Sequence, residues 1–222
     1  MKRNQSGFTL IEIAIVLVII GLLLGGVLKG QELINSAKVK NLANDFKNIP
    51  VYIYGYQDKF KALPGDDALA TTHLPVPAAA CTPPAVGKCA PGSGIIDGNW
   101  NSTDITSESY LFWQHVRLAG FAAGSTDITP PALDYIPKNA VGGSIGVTNS
   151  LATNTPIIGI KGTYVVCSDG IAGKFAKQLD ITLDDGNPAT GSLMVGTVGT
   201  TGGAAIAAPL ADDTTYLVCM GF

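Results

Sequence analysis

An apolar run that begins directly behind a short charged leader constrains this chain more than any other feature. Met1-Lys2-Arg3-Asn4-Gln5-Ser6-Gly7 leads into Phe8-Thr9-Leu10-Ile11-Glu12, and from Phe8 to Leu28 Glu12 is the only charged residue. About 20 apolar residues are what a helix needs to cross the hydrocarbon of a bilayer. In that medium each backbone polar group must be bonded internally, so a single span has to be helical. Lys2 and Arg3 flank its start and hold that end on the cytoplasmic side. A secretory signal peptide carries its apolar region ahead of the cut and loses it. Here the candidate processing point, Gly7/Phe8, precedes the run, so cutting leaves the apolar helix on the product. A chain of this design keeps its helix in a membrane or packs it against copies of itself. An acid at the centre of a span costs about 2.5–3.5 kcal/mol on insertion scales, so Glu12 calls for a partner. A bare single-span anchor with Glu12 snorkelling to the interface is the competing reading; it leaves the leader unexplained.

The lower part of the run holds Gly21, Gly25, Gly26 and Gly30. Each costs a helix about 1 kcal/mol relative to Ala. Close approach of neighbouring helices through small residues gives one reason for them, and local melting among packed neighbours gives another; both stay open. After Lys29 the pattern turns amphipathic. Leu42, Phe46, Ile49, Ile53, Tyr56 and Phe60 recur three and four apart, one face of a helix, while Lys38, Lys40, Asn41, Asn44, Asp45 and Lys47 lie off that stripe. Pro50 removes one backbone bond and is expected to bend the helix. Leu63-Pro64-Gly65 closes the segment.

The Lys-Arg leader with Gly7-Phe8-Thr9-Leu10-Ile11-Glu12 resembles the class III signal of type IV prepilins and type II secretion pseudopilins. The likeness continues along the helix to about Phe60. It implies that a prepilin peptidase cuts after Gly7 and N-methylates Phe8, and that Glu12 meets a neighbour's N-terminal amine during filament growth. The partners it implies are copies of the chain, other pilin-like subunits, the peptidase, an inner-membrane platform protein and an assembly ATPase. The precursor would sit in the inner membrane with its head in the periplasm, then enter a periplasmic or cell-surface filament. The implied fold is α+β and pilin-like: a long N-terminal helix packed on a loop-rich, mainly antiparallel β head. The expected organisation is a leader over 1–7, the transmembrane and assembly helix over 8–60, and the head over 61–222. Tyr56 to Asp67, through Ala62-Leu63-Pro64-Gly65-Asp66-Asp67, is also similar to prepilin-like proteins. Pilus and pseudopilus are not separated, nor are adhesion, motility, DNA uptake and secretion.

Residues 61–222 are enough for one domain with a real core. Two of the 14 basic residues sit in the leader, so the rest balances 12 basic against 17 acidic side chains, or −5. That mild acidity argues against a grip on nucleic acid, which needs clustered Lys and Arg. Residues 74–95, with Pro75, Pro77, Pro83, Pro84 and Pro91, read as an irregular surface excursion. Helices are expected over 108–119 and around Ile171, Phe175 and Leu179. Strands are expected at 157–160, 163–167, 192–195 and 215–220. Residues 199–209 read as a low-complexity loop.

Four cysteines in an exported head favour disulfides and allow three pairings. Cys81–Cys89 and Cys167–Cys219 are expected: the first pair shares one loop, the second sits in two similar Val-rich strands. Zinc is disfavoured, since no Cys-x2-Cys occurs and only two histidines exist. Gly142-Gly143-Ser144-Ile145-Gly146 matches the hydrolase elbow, but both His73 and His115 precede Ser144, so a Gly-rich turn is the better reading and no enzyme is expected. Asp97-Gly98-Asn99-Trp100 reads as a tight turn with a buried Trp, and the histidines as a surface residue, His73, and a core residue, His115. Asp180, Asp184, Asp185 and Asn187 form an oxygen-rich group of the kind calcium takes, although their spacing is not that of an EF-hand. On sequence alone an Asp-rich turn without metal outweighs calcium there, and no cofactor is otherwise expected.

Overall fold

The computed structural model describes residues 9–82, 88–129, 135–151, 154–199 and 201–222. Its first element, α1, runs Leu10–Phe60 and continues through Pro50. The chain forms two compact units, one ending at Lys38 and the other comprising Val39–Phe222.

In the first unit, Thr9 to Lys29 are exposed, including each large aliphatic side chain from Leu10 to Leu28. The helix is long and apolar enough to span a membrane by length and composition. It stays helical across Gly21, Gly25, Gly26 and Gly30. A methyl group added at any of the four would meet nothing within 4 Å.

In the second unit, the expected stripe is the buried face of α1. Leu42, Phe46, Ile49 and Ile53 are buried in the main core, with Val39 joining from one turn earlier. Tyr56 is also buried; its ring stacks on His115 and meets Phe60 at a tilt. Lys40, Asn41, Asn44 and Lys47 are exposed, as an amphipathic helix requires. The helix stops at Lys61, a non-glycine residue with φ +57°, and the chain turns at Gly65. There φ is +92°, and a Cβ would strike the Glu108 carbonyl. The Tyr56–Asp67 segment folds back on α1: Asp67 Oδ2 accepts the Tyr56 hydroxyl at 2.7 Å and lies 2.7 Å from His73 Nδ1. His73 ends a four-residue helix, α2, Ala70–His73. His115 is fully buried; its Nδ1 accepts the Gly65 N–H and its Nε2 donates to the Ala79 carbonyl, so both ring nitrogens are used.

Helix α3, Glu108–Leu118, matches its expected range and is buried along nearly its whole length. The remaining elements are β1 (Ile145–Thr148), β2 (Val165–Ala172), α4 (Gly173–Leu183), β3 (Leu193–Thr197) and β4 (Thr215–Gly221). The strands form one antiparallel sheet in the order β1-β2-β4-β3. One face, with Val166, Ile171, Leu193, Val195 and Val218, joins the core shared with α1, α3 and α4. The other, with Val165, Cys167, Met194, Leu217 and Cys219, is covered by Trp100, Ile157 and Ile160. A sheet covered on both faces has no polar side to show, and its strands read as continuous apolar runs.

Three expectations need correction. Residues 157–160 are not a strand: Gly159 has φ +95°, and only Ile157 makes an isolated bridge, to Gly203. Ile157 and Ile160 are apolar because they cap the sheet, not because they belong to it. Ile171 opens no helix; it lies in β2, which runs past a bulge between Ser168 and Ile171 and passes straight into α4. The Gly-rich turn at 142–146 hides a strand, β1. Gly146 in its centre is pressed against the Trp100 carbonyl so closely that no Cβ fits.

The 74–95 excursion is irregular but anchored: Leu74, Cys81 and Cys89 are buried, and the two cysteines pack on Leu111. Pro83 and Pro84 lie outside the described residues. Glu108, in the first turn of α3, binds this segment. Its Oε1 accepts the Ala90 N–H and its Oε2 the Asp97 N–H at 2.8 Å. Cys81 Sγ lies 3.3 Å from Oε1, a contact without a hydrogen bond, since a bridged sulfur has no proton.

Burial pushes the Glu108 carboxyl up to about 7, against the two backbone N–H groups and with Asp66 and Asp97 adding repulsion. A raised carboxyl pKa favours the folded state while the group is protonated in it. That contribution is complete below the ordinary value of 4.5 and is lost as pH rises through about 7. The stability advantage of wild type over Glu108→Gln should therefore be larger at pH 4.5 than at pH 8, read by urea midpoints. A difference that stays flat would mean the carboxyl titrates normally.

Candidate functional site

The site begins where α1 begins. Thr9 precedes the first helical residue, and its backbone N–H and hydroxyl both donate to Glu12 Oε2 at 2.8 Å. The Glu12 N–H returns a bond to Thr9 Oγ1 at 3.3 Å. This is a capping box: an N-cap hydroxyl and an acid three residues on satisfy each other's amide. It fills two of the donors that any helix start leaves open. Thr9-x-x-Glu12 ahead of an apolar run is its sequence signature, and the sequence reading of Glu12 as a charge in search of a partner passed over it. The box uses Oε2; among the described residues no donor is recorded on Oε1. Gly7 and Phe8, the expected processing residues, lie outside the described residues.

Around Glu12 the helix offers only apolar side chains and, further along, the four glycines. A surface so apolar is stable only against lipid or other apolar helices. The bare glycine backbones would let such helices approach closely. Residues 2–28 match the prokaryotic N-terminal methylation motif. They carry the class III signal of type IV pilin-like proteins. That pilin-like signal ends at Leu28, so the head enters the likeness through its fold, a long helix packed on a small antiparallel sheet. No curated protein and no solved structure matches the chain.

The other candidate residues fall elsewhere in the head. Cys167 and Cys219 face each other across β2 and β4, their Cα atoms 4.1 Å apart, and form a disulfide. Cys81 and Cys89 form a second. Ser144 meets Lys138, whose Nζ donates to its Oγ at 2.9 Å, while the polar contacts of His73 and His115 are with Asp67, Gly65 and Ala79. Trp100 is buried, as expected of that turn. Asp180, Asp184 and Asp185 converge at the end of α4. Asn187 lies in the following turn, its N–H donating to Asp185 Oδ1 and its side-chain oxygen accepting the Ala189 N–H at 3.3 Å.

Proposed function

We propose that this pilin-like precursor is a structural subunit of a type IV-type filament, either a pilus or the pseudopilus of type II secretion. It is cut after Gly7, N-methylated at Phe8 and polymerised through α1. The observation that carries this reading is one carboxylate at the head of an otherwise uncharged, exposed apolar stretch of α1, Leu10 to Leu28, inside a methylation motif. A desolvated ammonium at Phe8 of a neighbouring subunit and Glu12 would attract strongly across a low-dielectric groove. Oε1 is the oxygen that can receive it without breaking the cap. On this reading the peptidase, the platform protein and the ATPase act on the membrane-inserted chain, and the head enters the periplasm.

Processing is the direct test. The mature chain is expected to start at Phe8 with a methylated amine, and Gly7→Ala to leave the precursor uncut. Mass analysis of the N-terminal peptide reads both. A mature protein that still begins at Met1, or one that begins well beyond Glu12, would overturn the filament reading and favour a membrane-anchored binding module that never polymerises.

A further inference from the structure

Arg117, in the last turn of α3, is a cation that folding takes out of water, with only 8% of its surface left exposed. Among the described residues it forms no ion pair. Its Nη1 donates to the Ser125 carbonyl at 2.7 Å, and its Nε is buried with no acceptor. An arginine is rarely buried unless it is paired, because a desolvated charge is costly. The side chain is also fixed in place. A Cβ at Gly124 would stand 2.6 Å from Nε and 2.8 Å from Cζ, so that backbone packs directly on the guanidinium. The Trp113 and Tyr135 rings lie 5.7 and 5.0 Å from Cζ, within cation–π range. The guanidinium is therefore held rigidly with donors to spare.

Arg117 lines a cavity of about 250 Å³ bounded by α1, α3 and the start of β1. Trp113, Ile49 and Ile145 give it apolar walls. Lys138 lines it too, its Nζ donating to Ser144 Oγ, and adds a second positive charge. The acid of the cavity is Asp45, half-buried on the head-packed part of α1. Among the described residues it has no hydrogen bond and no ion pair, and burial alone pushes its carboxyl up, to about 6. The ionisable neighbours that bear on Arg117 are Tyr135 and Tyr110, not Asp45. Two opposite charges thus line one cavity without neutralising each other.

We propose that this cavity binds a small zwitterion with an apolar side chain, of the kind a free amino acid is, its carboxylate on Arg117, its ammonium on Asp45 and its side chain against Trp113, Ile49 and Ile145. The planar guanidinium fork suits a carboxylate, which it can take through two parallel hydrogen bonds. A fork already fixed by Gly124 and Ser125 loses little freedom on binding. A simple anion would satisfy Arg117 and face an unpaired Asp45; a simple amine would do the reverse. A molecule that carries both charges relieves both. The volume falls below the roughly 300–1,000 Å³ of ordinary ligand pockets, which admits one amino acid and excludes a folded peptide.

The full-length chain in detergent micelles, titrated calorimetrically with leucine, methionine and phenylalanine in turn, provides the test. At least one of the three should bind as one equivalent with a dissociation constant below about 1 mM. At about ten times that constant it should raise the melting temperature by about 3–5 °C. The deaminated and the decarboxylated analogues of the binder each keep the side chain and one charge, and should bind at least about tenfold more weakly. Arg117→Lys keeps the charge and loses the fork, and should weaken the amino acid by a similar factor. Asp45→Asn, at a half-exposed position, should do the same while leaving the ligand-free melting temperature and the affinity for the deaminated analogue undiminished. Should Arg117→Lys fail to fold, Asp45→Asn decides alone. Binding of none of the three amino acids, equal binding of the deaminated analogue by wild type, or unchanged amino-acid binding by Asp45→Asn would each overturn the proposal.

Discussion

Glu12→Ala is expected to insert in the membrane and be cleaved like wild type, yet to yield about a hundredfold fewer filaments or less. Insertion should be at least as good, because a charge leaves the hydrocarbon. Cleavage should persist, because Gly7 and Phe8 are untouched. Assembly should fail, because the amine of a neighbour's Phe8 is left desolvated and unpaired. Removing one partner of such a pair costs about 3–5 kcal/mol, and each 1.4 kcal/mol is a factor of ten.

The capping box requires a second variant, since Glu12→Ala also opens the helix end. Thr9→Ala removes the cap and keeps the acid. Loss of an N-cap costs about 1 kcal/mol, so this variant should lose filaments by no more than about tenfold. Glu12→Asp should fall between, its shorter side chain reaching the amine less well. The measurement is sheared filament against total membrane-bound subunit. Equal losses for Thr9→Ala and Glu12→Ala would reduce Glu12 to a helix cap, and full yield from Glu12→Ala would leave it a tolerated interfacial residue.

Removing the Cys167–Cys219 bridge should destabilise the head by about 4 kcal/mol, from the entropy of a loop of 52 residues released in the unfolded chain. That is a large fraction of the roughly 5–15 kcal/mol that holds an ordinary domain folded. Cys167→Ala with Cys219→Ala therefore should shift the urea midpoint about one and a half times as far as Cys81→Ala with Cys89→Ala. The latter loop has a separation of only 8, worth about 2.5 kcal/mol on the same scale. Reductant should reproduce the ordering. Indistinguishable midpoints for the two double variants, or peptide maps with crossed pairing, would count against these bridges as the main staples.

Periodicity made α1 readable residue by residue. Leu42, Phe46, Ile49, Ile53 and Tyr56 form its buried face because a 3.6-residue repeat leaves one stripe of side chains on one side. The class III signal was readable because it is a contiguous string whose chemistry, a charged leader, a small residue and an acid in an apolar run, depends on nothing distant. Helix α3 and strands β3 and β4 followed from local composition in the same way, to within one or two residues.

Only the tertiary structure decided the rest, and in each case a distant contact outweighed the local pattern. Ile157 and Ile160 have the composition of a strand but serve as a lid on a sheet that already has its strands. Gly146 looks like a turn residue and lies mid-strand because the Trp100 backbone, far away in sequence, occupies the space of a Cβ. The Asp-rich turn after α4 reads as solvated polar chain. Packing around α4 removes Asp180 from water. Sequence specifies what each segment prefers over a few residues; which carboxylate loses its water, and which glycine meets a carbonyl, depends on the neighbours that folding brings across the chain.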